Sequence, residues 1–480
     1  MNKLSTLQPQ KVFKRFEEIC SIPHGSGNTD KIASYCMDFA SSLGLYAERD
    51  SKNNVIIRKD ASKGYENSKP VILQGHLDMV CQKTAESQID FENDGLDIYI
   101  DGDFVKAHGT TLGADNGIAV AMIMAILESN DIPHPPIEAV FTTDEEIGML
   151  GAAELDMSKL SARRMLNLDS ECIDVLTVSC AGGAKVDILL PIERHVKTGA
   201  KVVLTIKGLQ GGHSGVEIDK GRVNSNILMG RILFHMEKEQ GFDIINVCGG
   251  DKDNVITSST KAELLVTDAD SFTGTLNKYL DIVKKEMYSR EPSLDFDIEV
   301  TGKYTESVLC PKDAKKLIRM LTCTPSGVMK MSADINGLVE TSLNLGVINT
   351  TENTFNMCYA LRSNKQTALY ALEEKMHSFA SVFEADCHSS GHYPPWEFVN
   401  DSEMQKMYIE TFEEMFGKKP SVEAIHAGLE CGMFSAGLEG LDCVSFGPVA
   451  IDIHSVNERL SITSTKETFE LVLKLLEKMK

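Results

Sequence analysis

Val71-Ile72-Leu73-Gln74-Gly75-His76-Leu77-Asp78 is an apolar, β-rich run that ends on an imidazole and a carboxylate. Its near lack of polar residues predicts a strand buried on both faces, as in a parallel sheet. His76 and Asp78 stand two apart, so on extended chain both side chains leave the same face. Open α/β sheets collect their chemistry outside the carboxyl ends of such strands. The pair fits a metal-ligand imidazole with a carboxylate beside it that fixes the ring. Taken alone, it fits equally a strand-end histidine satisfied within the fold.

Outward from this strand, helical and extended segments alternate. Thr29 to Leu43 reads as a helix introduced by the Gly25-Ser26-Gly27-Asn28 turn. Asn54–Arg58, Pro70–Leu77, Ile137–Thr143 and Arg164–Leu168 read as strands, and Asn116–Ser129 as a long apolar helix. The alternation predicts an α/β domain whose central sheet is mostly parallel and flanked by helices. Near Gly182-Gly183 the texture changes. Lys185–Leu190, Ala200–Ile206, Ala262–Thr267, Phe296–Thr301 and Thr341–Val347 alternate as half-buried strands do, with helices near Val223–Glu239, Ser271–Ser289 and Asp313–Leu321. This pattern predicts an α+β domain with an antiparallel sheet, inserted into the first. The expected division is 1–184 with 386–480 for the discontinuous domain, and 185–385 for the insertion. No short-period repeat interrupts either part.

Composition narrows the function classes. A chain of 480 residues supports two or three domains with ample core. The net charge of −22 argues against nucleic acid or an anionic membrane as partner. No apolar run approaches the length of a membrane span. Met1 to Ser21 reads as an amphipathic helix with Val12, Phe13, Phe16 and Ile19 on one face, without the apolar core of a secretory signal. The twelve cysteines are scattered and form no Cys-x-x-Cys pair, which argues against a zinc-thiolate site and for free thiols in a reducing cytoplasm. Cys172, Cys180, Cys358 and Cys443 lie in apolar segments and are expected in the core.

Four more segments place acids or a histidine at the end of an apolar strand or the start of a helix. In Thr110-Thr111-Leu112-Gly113-Ala114-Asp115-Asn116-Gly117, Asp115 holds an N-cap position, which a simple helix cap would also explain. Phe141-Thr142-Thr143-Asp144-Glu145-Glu146-Ile147-Gly148 sets three acids together after a strand. Such a run is costly without a cation or proton among the acids, or else it is a solvated turn. Met165-Leu166-Asn167-Leu168-Asp169-Ser170-Glu171 ends another strand on an acid. Ser445 to Ser455 carries His454 in a loop after the last strand. Two histidines and at least three carboxylates satisfy a pair of divalent ions. Nitrogen and oxygen ligands without thiolate suit zinc, cobalt or manganese. One further carboxylate must stay off the metals to take a proton from water, and Glu145 and Glu146 could divide those roles.

Together these motifs resemble the cocatalytic zinc peptidases that include aminoacylase and carnosinase. Within them the chain resembles the bacterial aminoacyl-histidine (Xaa-His) dipeptidases. Gly211-Gly212-His213-Ser214-Gly215 with Gly221 to Asn226, Ser390 to Trp396, and Ile425 to Gly432 add to the likeness. Val456-Asn457 depart from the expected Pro-Asp after His454-Ser455, beside a ligand rather than at one.

The resemblance implies two divalent ions per chain, zinc first, with cobalt or manganese as alternatives. Asp115 is then the bridging ligand, His76 and Asp169 complete one metal, and Glu146 and His454 the other. Glu145 is the general base for the water between the metals, and Asp78 orients His76. The peptide bond after Asp115 is expected to be cis. The insertion corresponds to a lid. Its His213 would polarise the scissile carbonyl, or is a surface histidine in a Gly-rich turn. Arg362 would bind the substrate's terminal carboxylate, or is a structural arginine on a strand. Asn224 and Glu430 are substrate-contact candidates that read equally as cap or loop residues.

The implied activity is hydrolysis of dipeptides, Xaa-His and β-Ala-His among them. N-acyl amino acid deacylation, tripeptidase or carboxypeptidase activity on the same scaffold are the alternatives, with non-catalytic metal or peptide binding behind them. A homodimer through the lid is expected, although a lid with two similar halves would also suit a monomer.

Overall fold

The computed structural model describes residues 3–480, so Met1 and Asn2 of the predicted first helix lie outside the described residues. The chain divides into two compact units. One runs to Cys180 and takes up Phe398–Ala424 and Leu429–Lys480; the other is Ala181–Glu397 with Ile425–Gly428.

The discontinuous unit is built on an eight-stranded sheet. Its strands are β1 (Tyr46–Arg49), β2 (Val55–Lys59), β3 (Val71–His76), β4 (Ile137–Thr142), β5 (Arg164–Asn167), β6 (Val175–Cys180), β7 (Ser421–Ile425) and β8 (Asp442–Ser445). They lie in the order β1-β2-β4-β3-β5-β8-β6-β7. The pairs β4–β3, β3–β5 and β5–β8 are parallel. The outer pairs β1–β2, β2–β4 and β8–β6 are antiparallel, so the sheet is mixed around a parallel centre. Burial explains the division. β3 and β4 are buried at every residue, as central strands covered on both faces must be. β1 has no fully buried residue and reads as an edge.

The long apolar helix runs Ala114–Leu127 and is buried at every position but Asp115. A helix apolar all round has no solvent face, and this one packs against β3 and the first helix. The first helix is shorter than predicted, Gln10–Cys20. Pro9 precedes it, and Val12, Phe13, Phe16 and Ile19 are buried. Late in the chain, Ala450–Ile451 pairs antiparallel with Arg459–Leu460, so the intervening loop is the tip of a hairpin.

The inserted unit carries one large sheet whose strand pairings are all antiparallel. Its strands run Asp295–Leu309, Arg194–Lys207, Thr260–Val266, Asp243–Gly249, Val339–Thr350, Thr354–Ser363, Gly182–Pro191 and Asp386–Tyr393 in spatial order. Two halves emerge from this order. Arg194–Leu309 reads strand-helix-strand-strand-helix-strand. The second half repeats that pattern, with Gly182–Pro191 as its first strand and the whole first half inserted after it. Each half places its strands fourth-first-third-second, and the two second strands, Asp243–Gly249 and Val339–Thr350, pair where the halves meet. The core under this sheet includes Val186, Leu204, Ile232, Leu264, Leu345 and Tyr359.

Among the described residues no helix is long and apolar enough to cross a membrane. All twelve cysteines are free. Cys180 and Cys443 are buried as expected, whereas Cys172 and Cys358 are only half-buried.

Candidate metal centre

β3 delivers His76 at its carboxyl end, with 1 % of the residue exposed. Its backbone N–H donates to Asn116 Oδ1 at 3.1 Å. Its Nδ1 lies 3.0 Å from the Asp78 carbonyl oxygen and 3.5 Å from the Asp78 carboxylate. A carbonyl only accepts, so Nδ1 carries a proton, and in the neutral ring the Nε2 lone pair faces outward. Nε2 lies 3.1 Å from Asp115 Oδ1 and 3.5 Å from Asp169 Oδ1.

Asp115 does not cap its helix, contrary to the sequence expectation. It has non-helical backbone angles, its peptide bond to Asn116 is cis, and Gly113 is the cap residue. The carboxylate points at two imidazoles instead. Oδ1 faces His76, and Oδ2 lies 3.2 Å from His454 Nε2. His454 Nε2 is also 3.0 Å from Glu146 Oε1. His76, Asp115 and Glu146 each offer a ligand atom within 4.8 Å of the others.

The Glu145-Glu146 turn is held from behind. Asp78 accepts the N–H groups of Glu145 and Glu146 at 3.1 and 3.3 Å, and the Ser26 hydroxyl at 2.8 Å. Asp144 Oδ1 accepts the Gly27 N–H at 2.7 Å. The Gly25–Asn28 turn, which the sequence marks only as a helix entry, therefore clamps the acid turn. Glu145 itself makes no side-chain hydrogen bond or ion pair among the described residues.

The electrostatics are those of a site short of positive charge. Burial holds the Glu145 carboxyl well above the usual range, and the Asp169, Glu430 and Glu146 carboxylates add to this against the pull of His76. Burial raises Glu146 and Asp169 as well. Burial works against the charged form of His76, but Asp169, Asp115 and Asp78 outweigh it and raise the ring well above its ordinary value. Hydrogen bonds from its ring N–H to the Asp115 and Glu146 carboxylates push His454 up to about 10. Burial would raise Asp115, yet the two imidazoles hold it far below the carboxylate range. The metal-free chain thus neutralises itself by protonating imidazoles and acids that two divalent cations would pair directly. A bridging carboxylate, one imidazole for each of its oxygens and further oxygen donors without thiolate fit that load.

Glu430 is held inside the fold. It is fully buried, accepts from Gln74 Nε2 at 2.5 Å and Thr142 Oγ1 at 2.6 Å, and burial pushes its carboxyl up to about 8. Asn224 is a cap residue. Its Oδ1 accepts the Asn226 N–H at 2.9 Å, and its Nδ2 donates to Asn344 and Leu345.

In the inserted unit, His213 Nδ1 accepts the N–H groups of Gly215 and Val216, each at 3.2 Å. The remaining proton is then on Nε2, which makes that atom a donor. Burial and the Arg362 charge lower the His213 pKa, so the ring is a neutral donor. Gly215 is required here, since a Cβ would stand 2.6 Å from the His426 carbonyl oxygen and 2.9 Å from His213 Cε1. Arg362 is 8 % exposed, donates to the Tyr393 hydroxyl at 2.9 Å, and has a buried Nε without partner. A buried guanidinium without a carboxylate is a place for an anion. The sequence reading assigns no role to His426. Its Nε2 is 2.7 Å from Ser342 Oγ, its Nδ1 is 3.1 Å from Asn364 Oδ1, and burial and Arg362 push its pKa down to about 3.

Known proteins are similar to this chain in sequence and fold. Peptidase family M20/M25/M40 matches residues 72–478. A cytosol non-specific dipeptidase of Escherichia coli (strain K12) is 37 % identical over 483 aligned residues, covering 100 % of this chain and 99 % of its own. The crystal structure of the aminoacylhistidine dipeptidase of Vibrio alginolyticus superposes with a TM-score of 0.91 at 38 % identity, covering 99 % of this chain and 98 % of that one. The aminopeptidase PepT of Bacillus cereus ATCC 10987, at 16 % identity, TM-score 0.57, and coverage of 98 % of this chain and 99 % of its own, shares the fold.

Proposed function

We propose, from the premise that this chain belongs to peptidase family M20/M25/M40, that it is a metal-dependent dipeptidase acting on Xaa-His and other dipeptides. The observation that carries the chemistry is Asp115, whose two oxygens face two different histidines. Full-length similarity to an aminoacylhistidine dipeptidase supports cleavage before histidine, and similarity to a non-specific dipeptidase supports a wider range. Zinc is the proposed metal, with cobalt or manganese as substitutes, because the donors are nitrogen and oxygen only. A cytoplasmic location goes with the cytosolic relative.

His76, Asp115 and Asp169 would hold one ion, and Asp115, Glu146 and His454 the other. When bound, the ions supply Lewis acidity that lowers the pKa of water and polarises a peptide carbonyl. The Glu145 carboxylate is unpaired among the described residues and lies within electrostatic reach of His76, Asp169 and Glu146. It takes the proton from the attacking water and hands it to the leaving amine. A group with both duties needs a pKa near the working pH, which burial favours. Asp78 aims two elements at once, the His76 ring and the backbone of the Glu145-Glu146 turn. His213, as a neutral Nε2–H donor, would stabilise the oxyanion, and Arg362 would pair the terminal carboxylate.

The test is a substrate panel with metal-loaded protein: β-alanyl-histidine, other Xaa-His and non-histidine dipeptides, tripeptides and N-acetyl amino acids. Dipeptides are expected to be cleaved, and a chelator to abolish cleavage until metal is restored. Cleavage confined to tripeptides or N-acetyl amino acids would keep the metal site and overturn the substrate class.

A homodimer through the inserted unit is proposed from the family resemblance. Sedimentation should then give twice the 52.8 kDa chain mass. A chain-mass species at assay concentration would favour a monomer, for which the two-halved sheet is suited.

A further inference from the structure

Three consecutive backbone N–H groups converge on one carboxylate just ahead of Asp115. Leu112 N and Gly113 N lie 2.7 and 3.2 Å from Glu458 Oε2, and Ala114 N lies 2.8 Å from Oε1. Glu458 is 3 % exposed. A buried carboxylate is costly to desolvate, and charge-assisted bonds from N–H groups at a helix start offset that cost.

These bonds hold the chain that leads into Asp115. The first turn of a helix has N–H groups without internal partners, and a residue such as Asp at that point normally turns back to accept one. Here the Asp115 carboxylate faces His76 and His454 instead. Glu458 accepts from the three residues that precede Asp115, from a position 344 to 346 residues away in sequence. The bend it grips is tight. Gly113 has φ +67°, and a Cβ there would stand 2.8 Å from Met79 Sδ and 3.2 Å from His24 Nε2.

Glu458 also belongs to the hairpin that carries His454. The hairpin strands pair Ala450 with Leu460 and Ile451 with Arg459, and the Arg459 guanidinium donates to Asp452 at 2.6 Å. One side chain therefore fastens the segment holding Asp115 to the loop holding His454.

We propose that Glu458 is a positioning residue that sets the distance between the Asp115 carboxylate and the His454 imidazole, and so determines whether the second cation is held. The proposal rests on the ligand assignment above. Glu458 neither meets substrate nor ligates. Glu458→Gln keeps the shape but replaces one acceptor oxygen with an NH2 group, which faces N–H donors.

The test uses the full chain, metal-free and then titrated with cobalt, read by visible absorption and metal content. For E458Q the first cobalt is expected to bind as in wild type and the second roughly 10- to 100-fold more weakly. At saturating cobalt, kcat should fall with KM within about twofold, since substrate contacts are intact. E458D, which keeps both acceptor oxygens, should recover part of the second-site affinity. A purely structural role would lower the melting temperature and leave the ratio of the two cobalt affinities unchanged, which overturns the proposal.

Amide hydrogen exchange supplies a test independent of any variant's folding. In wild type, Leu112, Gly113 and Ala114 should be protected, and fast exchange there overturns the proposal. Wild-type protein that takes up no cobalt would instead sink the metal reading. Wild type and E458Q with equal affinities and equal turnover would sink the role of Glu458 alone.

Discussion

Glu145→Gln is expected to lower kcat by about 10³-fold with both metal sites still filled. The substitution is close to isosteric and removes only the ability to accept a proton. No partner is stranded, because the Glu145 side chain makes no hydrogen bond or ion pair among the described residues. Its backbone N–H keeps the Asp78 carboxylate, and the neighbouring Glu146 keeps its place 3.0 Å from His454. The melting temperature should therefore hold or rise slightly, since a carboxylate disfavoured by burial is gone. A loss of about 10³ corresponds to about 4 kcal/mol of barrier. Metal content measured on the same sample separates this from ligand loss. Near-normal turnover with two metals bound would overturn the assignment of Glu145 as base.

Asp115→Asn should be more damaging, with turnover lowered on the order of 10⁴-fold and no more than one cobalt bound tightly per chain. A carboxylate offers an acceptor on each side, whereas an amide offers an acceptor on one side and a donor on the other. Whichever way the new amide turns, one imidazole loses its oxygen partner. A second readout needs no metal. In the metal-free chain, Asp115 and Glu146 push the His454 ring up to about 10. The sign follows: with the Asp115 carboxylate gone, the ring should release its proton at lower pH, which an NMR titration of its Cε1 proton would register. An unmoved His454 together with two tight cobalt sites would show that Asp115 does not bridge.

The residues that face one another in the metal centre are those the sequence marks most strongly. His76, Asp115, Asp169 and the Glu145-Glu146 pair each stand at the junction of an apolar run and a polar turn. A run long enough to be core fixes where its end must emerge. His454 has a weaker local signal and is found by the order of the motifs. What surrounds these residues is less legible. Glu458, Asn116, Ser26 and Gly27 act through bonds to backbone or to side chains far away in sequence, and nothing local announces such a bond. The expected cap at Asp115 fails for the same reason, because its carboxylate turns to two histidines that are far away in sequence. Glu430 is buried where its local sequence does not announce it. A charged residue in a Gly-containing loop suggests a surface contact, but three-dimensional packing seals it beneath the sheet against Gln74 and Thr142. Of the antiparallel pairs in this sheet only β1–β2 is joined by a short connection, and apolar patterning alone does not report strand direction.

The parallel centre of the sheet has β8 from the end of the chain beside β5, with the whole inserted unit between them in sequence. His454 reaches Glu146 across 308 residues, and Glu458 reaches Leu112 across 346. A ribosome therefore releases four of the five proposed ligands, His76, Asp115, Glu146 and Asp169, long before His454. The nascent chain holds a row of acids with no closing imidazole and no Glu458 to brace Asp115. On the proposed ligand assignment, a chain cut short before His454 is expected to be inert rather than a loose, unregulated peptidase.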